Sequence, residues 1–75
     1  MSDGYINPVE GSVVEHYKGG RYQVLSLGRH CDYPNEELVV YRSIKDGTVW
    51  VRKLSEFRDM VQTDDGFVKR FKEIK

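Results

Sequence analysis

The sequence predicts a small, mostly β domain, an antiparallel barrel with one short helical turn. Three observations carry this. The glycine-centred turn signals Gly19-Gly20, Asp46-Gly47 and Asp65-Gly66 each stand between short runs of strand-forming residues. Helical spacing is confined to Leu54, Phe57 and Val61, between Lys53 and Val61. The chain has 75 residues, enough for one domain but not for a full-size two-sheet sandwich.

Residues 1–11 read as a flexible leader, with Gly4, Asn7-Pro8 and Gly11 and no periodic apolar pattern. Residues 12–75 read as the single domain. The first hairpin joins Ser12–Tyr17 to Tyr22–Gly28. A two-residue turn at Gly19-Gly20 sets Tyr17 opposite Tyr22, His16 opposite Gln23 and Val14 opposite Leu25. It also sets Lys18 against Arg21, a like-charge pair that an anion, or water and salt, would relieve. Arg29–Glu37 is a polar loop that turns at Pro34-Asn35.

The second hairpin, Leu38–Leu54, is the strongest signal. A type I′ turn at Asp46-Gly47 sets Ile44 opposite Val49, Ser43 opposite Trp50, Arg42 opposite Val51 and Tyr41 opposite Arg52. Opposed residues share a face. One face then carries Val40, Ile44, Val49 and Val51 with Arg42, and is expected to be core. The other carries Tyr41, Ser43, Trp50 and Arg52, and is expected to be a ligand platform. Ser55 is placed as the N-cap of the short helix. A last hairpin around Asp65-Gly66 sets Met60 opposite Phe71 and Val61 opposite Arg70. Six short strands in successive hairpins, with a helical turn before the last two, fit a barrel of the SH3-like kind.

Composition narrows the function classes. With 12 basic and 12 acidic side chains the formal net charge is zero, which argues against duplex binding by bulk charge. The ends differ. Residues 1–15 hold Asp3, Glu10 and Glu15 and no base, whereas Gly66 onward holds Lys69, Arg70, Lys72 and Lys75 against Glu73. A solvated tail explains this as well as a basic edge does. One cysteine, Cys31, and no signal-peptide pattern point to a reducing, cytoplasmic setting. No apolar run reaches membrane-spanning length.

Few residues form a catalytic pattern. His30-Cys31 lacks an orienting third residue, and a small half-buried thiol is the plainer reading of Cys31. His16, His30, Cys31 and Asp32 are metal-ligand types without paired spacing, so no metal or other cofactor is expected. Lys18-Gly19-Gly20-Arg21 is a turn with basic flanks rather than a phosphate loop. The aromatic set, Tyr17, Tyr22, Tyr41, Trp50, Phe57 and Phe71, divides between filling a core and offering a surface, with Trp50 expected to be core or half-core. Arg42, Arg52 and Arg70 lie on strands among apolar neighbours. Each must reach solvent or an acceptor, because a lone buried charge is costly. Glu37 is the obvious internal acceptor, and an anionic ligand is the alternative.

The residues His16-Tyr17-Lys18-Gly19, Tyr22, Val24, His30 and Glu37-Leu38-Val39-Val40-Tyr41-Arg42 form the first half of an ordered pattern. Trp50-Val51-Arg52, Leu54, Phe57, Gly66 and Arg70-Phe71 complete it. In order and spacing, from Gly11 to Ile74, the chain resembles the bacterial family catalogued as domain of unknown function 1653. The resemblance implies an SH3-like β-barrel and assigns no activity. Two departures stand out. Lys53 follows the Trp-Val-Arg run where the family usually has proline. The loop after His30 is slightly longer and lacks the family's threonine.

Together these readings give a small cytoplasmic binding module, monomeric and without enzymatic activity. Its site is expected on the face of Tyr41, Trp50 and Arg52, with His16, His30, Arg42 and Arg70 nearby. The arginines would hold the carboxylate or phosphate of an anionic small molecule or peptide, and the aromatics would stack on it. The alternative partner is single-stranded nucleic acid or a nucleotide. A small enzyme lacks a visible constellation.

Overall fold

The computed structural model describes residues 8–74. Seven strands and one helical turn follow in the order β1 (Val13–His16), β2 (Arg21–Arg29), β3 (Glu37–Ser43), β4 (Val49–Lys53), α1 (Leu54–Phe57), β5 (Met60–Thr63), β6 (Gly66–Lys69) and β7 (Phe71–Glu73). Every ladder is antiparallel. Five strands form one sheet in the order β4-β3-β2-β1-β7, and β5 pairs with β6 in a second. Among the described residues no ladder joins β4 to β7, so the hydrogen bonding does not close a barrel. Nor is any helix among them long and apolar enough to cross a membrane. The expected leader lies outside the described residues through position 7. Its last part is tied to the sheet: Ser12 N–H donates to the Val9 carbonyl at 2.9 Å, and Gly11 N–H to that of Val24 at 2.8 Å.

The turns set the registers, and each departs from expectation. At the second hairpin only Gly47 takes a positive φ, +77°, and Asp46 does not, which excludes a type I′ turn. The loop instead spans Ile44–Gly47, closed by Ser43 N–H donating to the Thr48 carbonyl at 2.8 Å. The Asp46 carboxylate accepts the Thr48 N–H at 2.9 Å. The longer loop slides the ladder by two, so Tyr41 faces Trp50 and Val39 faces Arg52. The side-chain period is two, so the same residues still share faces.

At the first hairpin Gly19, φ +108°, ends a three-residue loop in which His16 N–H donates to the Gly20 carbonyl at 2.7 Å. Val14 therefore faces Tyr22, and Glu15 rather than Lys18 faces Arg21. The expected like-charge pair does not form. In the last hairpin Met60 faces Lys69 and Val61 faces Val68. Phe71 leaves that ladder to pair with His16 on β1, which raises the strand count from six to seven. Arg70 makes the transfer. Its N–H donates to Asp59 and its carbonyl accepts Tyr17 N–H, both at 2.9 Å.

The core is Val14, Val24, Val39, Tyr41, Phe57 and Phe71. This inverts the expected faces of the second hairpin. Val49 and Val51 are 52% and 58% exposed, whereas Tyr41 is 5% exposed. Aromatic rings fill the core: Phe57 stacks on Phe71 at 4.2 Å and 10°, and Tyr41 meets both edge-on at 5.5 Å. Burying each such ring stabilises the fold by about 1.5–3 kcal/mol. The helix begins after Lys53 with no side-chain cap, so Ser55 is inside it and not its N-cap, while Val61 belongs to β5. Phe57, rather than a cap, holds the helix in place.

Candidate functional site

The buried face of the sheet opens at one end into a pocket of about 190 Å³, lined by His16, Tyr22, Tyr41, Trp50, Arg52 and Phe71. The ladders bring these six together. His16 faces Phe71, Tyr41 faces Trp50, and Tyr22 meets the Tyr41 ring edge-on at 5.3 Å. Tyr41 and Phe71 form the floor. Trp50, on the edge strand β4, is 51% exposed and leaves much of its indole accessible. It is rim rather than core.

Arg52 is held from two sides. Its Nε donates to the Tyr41 hydroxyl at 3.3 Å, and Nη1 lies 3.6 Å from the Glu56 carboxylate. The contact with Tyr41 is thus a hydrogen bond to the hydroxyl. Arg70 donates from Nε to the Glu56 carbonyl at 3.0 Å. The expected acceptor, Glu37, instead lies 3.9 Å from Arg29. Glu56 was hidden from sequence reasoning because its reach to Arg52 crosses the strand–helix junction, where neither the strand nor the helix repeat applies.

His16 accepts the Lys18 N–H at Nδ1, 3.2 Å, and lies edge-on to Phe71 at 5.0 Å. Its pKa is lowered from the ordinary 6.5, first by partial burial and then by the positive charges of Arg52, Arg70 and Lys18. Three cations therefore act on His16 at the pocket's edge, and the Glu56 carboxylate lies beside one of them, Arg52.

The family described as "Protein of unknown function (DUF1653)" matches residues 12–73. This chain is a member of that family. No curated protein and no solved structure matches it.

In this DUF1653 chain four of the seven expected site residues, His16, Tyr41, Trp50 and Arg52, line one pocket, and Arg70 stands beside it. Two do not join them. Arg42 is on the opposite face, where its Nη2 donates to the Gln23 side chain at 2.7 Å. His30 lies in the loop after β2, where Nδ1 accepts the Asp32 N–H at 3.0 Å and the ring meets Tyr33 at 5.0 Å. Cys31 is exposed, not half-buried. The donor atoms of His30, Cys31 and Asp32 lie within 4.8 Å of one another, but the Asp32 N–H already occupies one histidine nitrogen. Tyr22 and Phe71, counted among the aromatics in the sequence, complete the pocket's lining. A larger groove of about 440 Å³, between the Asn35–Glu37 loop and α1, carries charges of both signs and no aromatic ring. Its lining has three carboxylates (Glu36, Glu37, Asp59) against two cations (Lys53, Arg58), with Lys53 4.0 Å from Glu36.

Proposed function

We propose that this protein is a small binding module whose aromatic pocket takes the anionic group of a small molecule or peptide. The observation that carries the reading is that Arg52 lines one pocket together with Tyr22, Tyr41, Trp50 and Phe71. Tyr41 holds Arg52 at Nε and Glu56 lies beside Nη1, so a carboxylate or phosphate gripped at two points takes Nη1 and Nη2 and displaces the half-exposed Glu56 carboxylate. Trp50 supplies a flat surface for whatever carries the anion. The proposal includes an SH3-like barrel architecture. The strand order β4-β3-β2-β1-β7, with a helical turn between β4 and the last strands, supports it. In this reading the module is non-enzymatic, monomeric, bacterial and cytoplasmic.

Backbone chemical-shift mapping with acetate, inorganic phosphate and an acidic peptide tests the site. Shifts should cluster at His16, Trp50 and Arg52, and Arg52→Ala should abolish them while the remaining spectrum keeps its dispersion. Anion-induced shifts confined to other surfaces, or unchanged in Arg52→Ala, would dismiss the pocket as the site.

A further inference from the structure

The large sheet has two edges, β4 and β7. An edge strand turns unpaired N–H and C=O groups outward, and proteins usually blunt it by shortness, charge, proline or a bulge. β7 is blunted: it has three residues, and Lys72 and Glu73 are exposed. β4 is not. It has five residues and no proline, and its register with β3 runs without a bulge. Val49, Trp50 and Val51 are each more than half exposed. We infer that β4 is a docking edge for an extended peptide, which adds to the sheet as a further strand and sets an acidic side chain against Arg52. The acidic residue rests on the anion-binding reading of Arg52, and the strand geometry makes the ligand a peptide.

Three observations carry it. The first is the direction of the backbone groups. Ser43 N–H donates to the Thr48 carbonyl at 2.8 Å, so those two residues form a hydrogen-bonded pair, and the pairs beyond them alternate. Trp50 and Arg52 therefore turn their main-chain groups to β3, opposite Tyr41 and Val39. Val49 and Val51 turn theirs away, and among the described residues no ladder lies on that side. Their N–H and C=O groups face outward at the spacing of another extended main chain. The second is the side-chain pattern. In an antiparallel partner, four successive residues lie opposite Arg52, Val51, Trp50 and Val49, and opposed residues share a face. The first and third meet arginine and indole on the pocket face. The second and fourth meet valines on the outer face. The matching order is acidic, β-branched, aromatic, β-branched. The third is charge. β4 carries Arg52 and Lys53 and no acid. The carboxylates beside them, Glu56 at 3.6 Å and Glu36 at 4.0 Å, belong to partly exposed pairs, so an incoming carboxylate competes with weak partners. A second β4 in place of the peptide would add cations and no acid, which disfavours pairing between copies.

The probe is the peptide acetyl-Ser-Glu-Val-Tyr-Val-Ser-amide, which sets Glu opposite Arg52, Tyr opposite Trp50, and its valines opposite Val51 and Val49. Binding is read from amide shifts and from the fluorescence of Trp50, the one tryptophan of the chain. The peptide should shift the Val49 and Val51 amides most and slow their exchange with solvent. N-methylation of its first valine removes the N–H that the Val51 carbonyl would accept, and should weaken binding by about tenfold or more. N-methylation of its tyrosine, whose N–H points away from β4, should leave binding unchanged. Glutamine in place of its glutamate should weaken binding by about fivefold or more. Val51→Pro deletes an outward N–H without removing a hydrogen bond to β3. It should weaken the peptide and leave the acetate shifts at Arg52 as they are, with circular dichroism confirming the fold. No binding by the parent peptide, equal binding by the two N-methylated peptides, or a glutamine peptide as tight as the parent would each overturn the inference. Acetate or phosphate shifts at Arg52 would then leave the anion site standing. A dimer in sedimentation that the peptide dissolves would assign the edge to a second copy and overturn it too. Failure of acetate, phosphate and peptide alike to perturb Arg52 or His16 would overturn both readings.

Discussion

At the scale of single residues, Arg52 and His16 decide how the pocket behaves. Replacing Arg52 by alanine removes the hydrogen bond to Tyr41. The bond is only part-buried, so the expected loss of stability is about 1 kcal/mol, read from a denaturant midpoint. Arg52→Lys keeps the charge but loses the fork, and should bind phosphate or carboxylate poorly. A lysine variant equal to wild type in titration would exclude two-point recognition by this side chain. His16 gives a pH prediction. Its folded pKa lies below 6.5, so around and below that value the unfolded chain binds protons the folded chain refuses. The contribution of neutral His16 to stability is therefore complete above 6.5 and falls as pH drops through the lowered pKa. Anion affinity runs the other way, because protonated His16 adds a positive charge. A two-histidine NMR titration should show His16 titrating below its ordinary range, and shifting upward when phosphate is bound.

At the scale of elements, the inverted faces of β3 and β4 offer the sharpest check on the fold. Val39 is fully buried and Val51 is 58% exposed, although both are strand valines. Val51→Thr should change stability by no more than about 0.5 kcal/mol. Val39→Thr places a hydroxyl in the core and should cost about 1–3 kcal/mol. Equal effects in thermal or urea melts would contradict the burial pattern. The alternation along Val49-Trp50-Val51-Arg52 showed that these four residues divide between two faces. It did not show which face is inside, because valine and tryptophan are both apolar enough to be buried. That choice is made by Phe57 and Phe71, both outside the hairpin, whose stacked rings pack with Tyr41. Hairpin positions were legible from glycine. Their registers were not, because one glycine with positive φ serves loops of two, three or four residues alike. Parity decided how much of the site survived: the two-residue slide at Asp46-Gly47 left Tyr41, Trp50 and Arg52 together. The odd shift at Gly19 moved Tyr22 onto their face and Gln23 off it.

At the scale of the whole molecule, the two sheets differ in what holds them. The larger contains most of the core residues. The β5–β6 ladder contributes none of the buried hydrophobics, and Phe67 at its turn is 68% exposed. Amide exchange should therefore be fastest in β5 and β6 and slowest in β2 and β3. Uniform protection across both sheets would mean that they open as one unit. A ligand bound in the aromatic pocket should raise the melting temperature with concentration, by the equivalent of about 2.7 kcal/mol at a hundred times its dissociation constant.

Glu56 holds Arg52 with its side chain and Arg70 with its main chain. Genetics reaches only the first of these. Glu56→Gln removes the ion pair with Arg52, yet the carbonyl that receives Arg70 is present whatever side chain stands at position 56. One arginine of the pair is thus tunable by substitution and the other is fixed by the path of the chain. A library varied at position 56 would vary the grip on Arg52 alone, while the orientation of Arg70 would be inherited by every clone that folds.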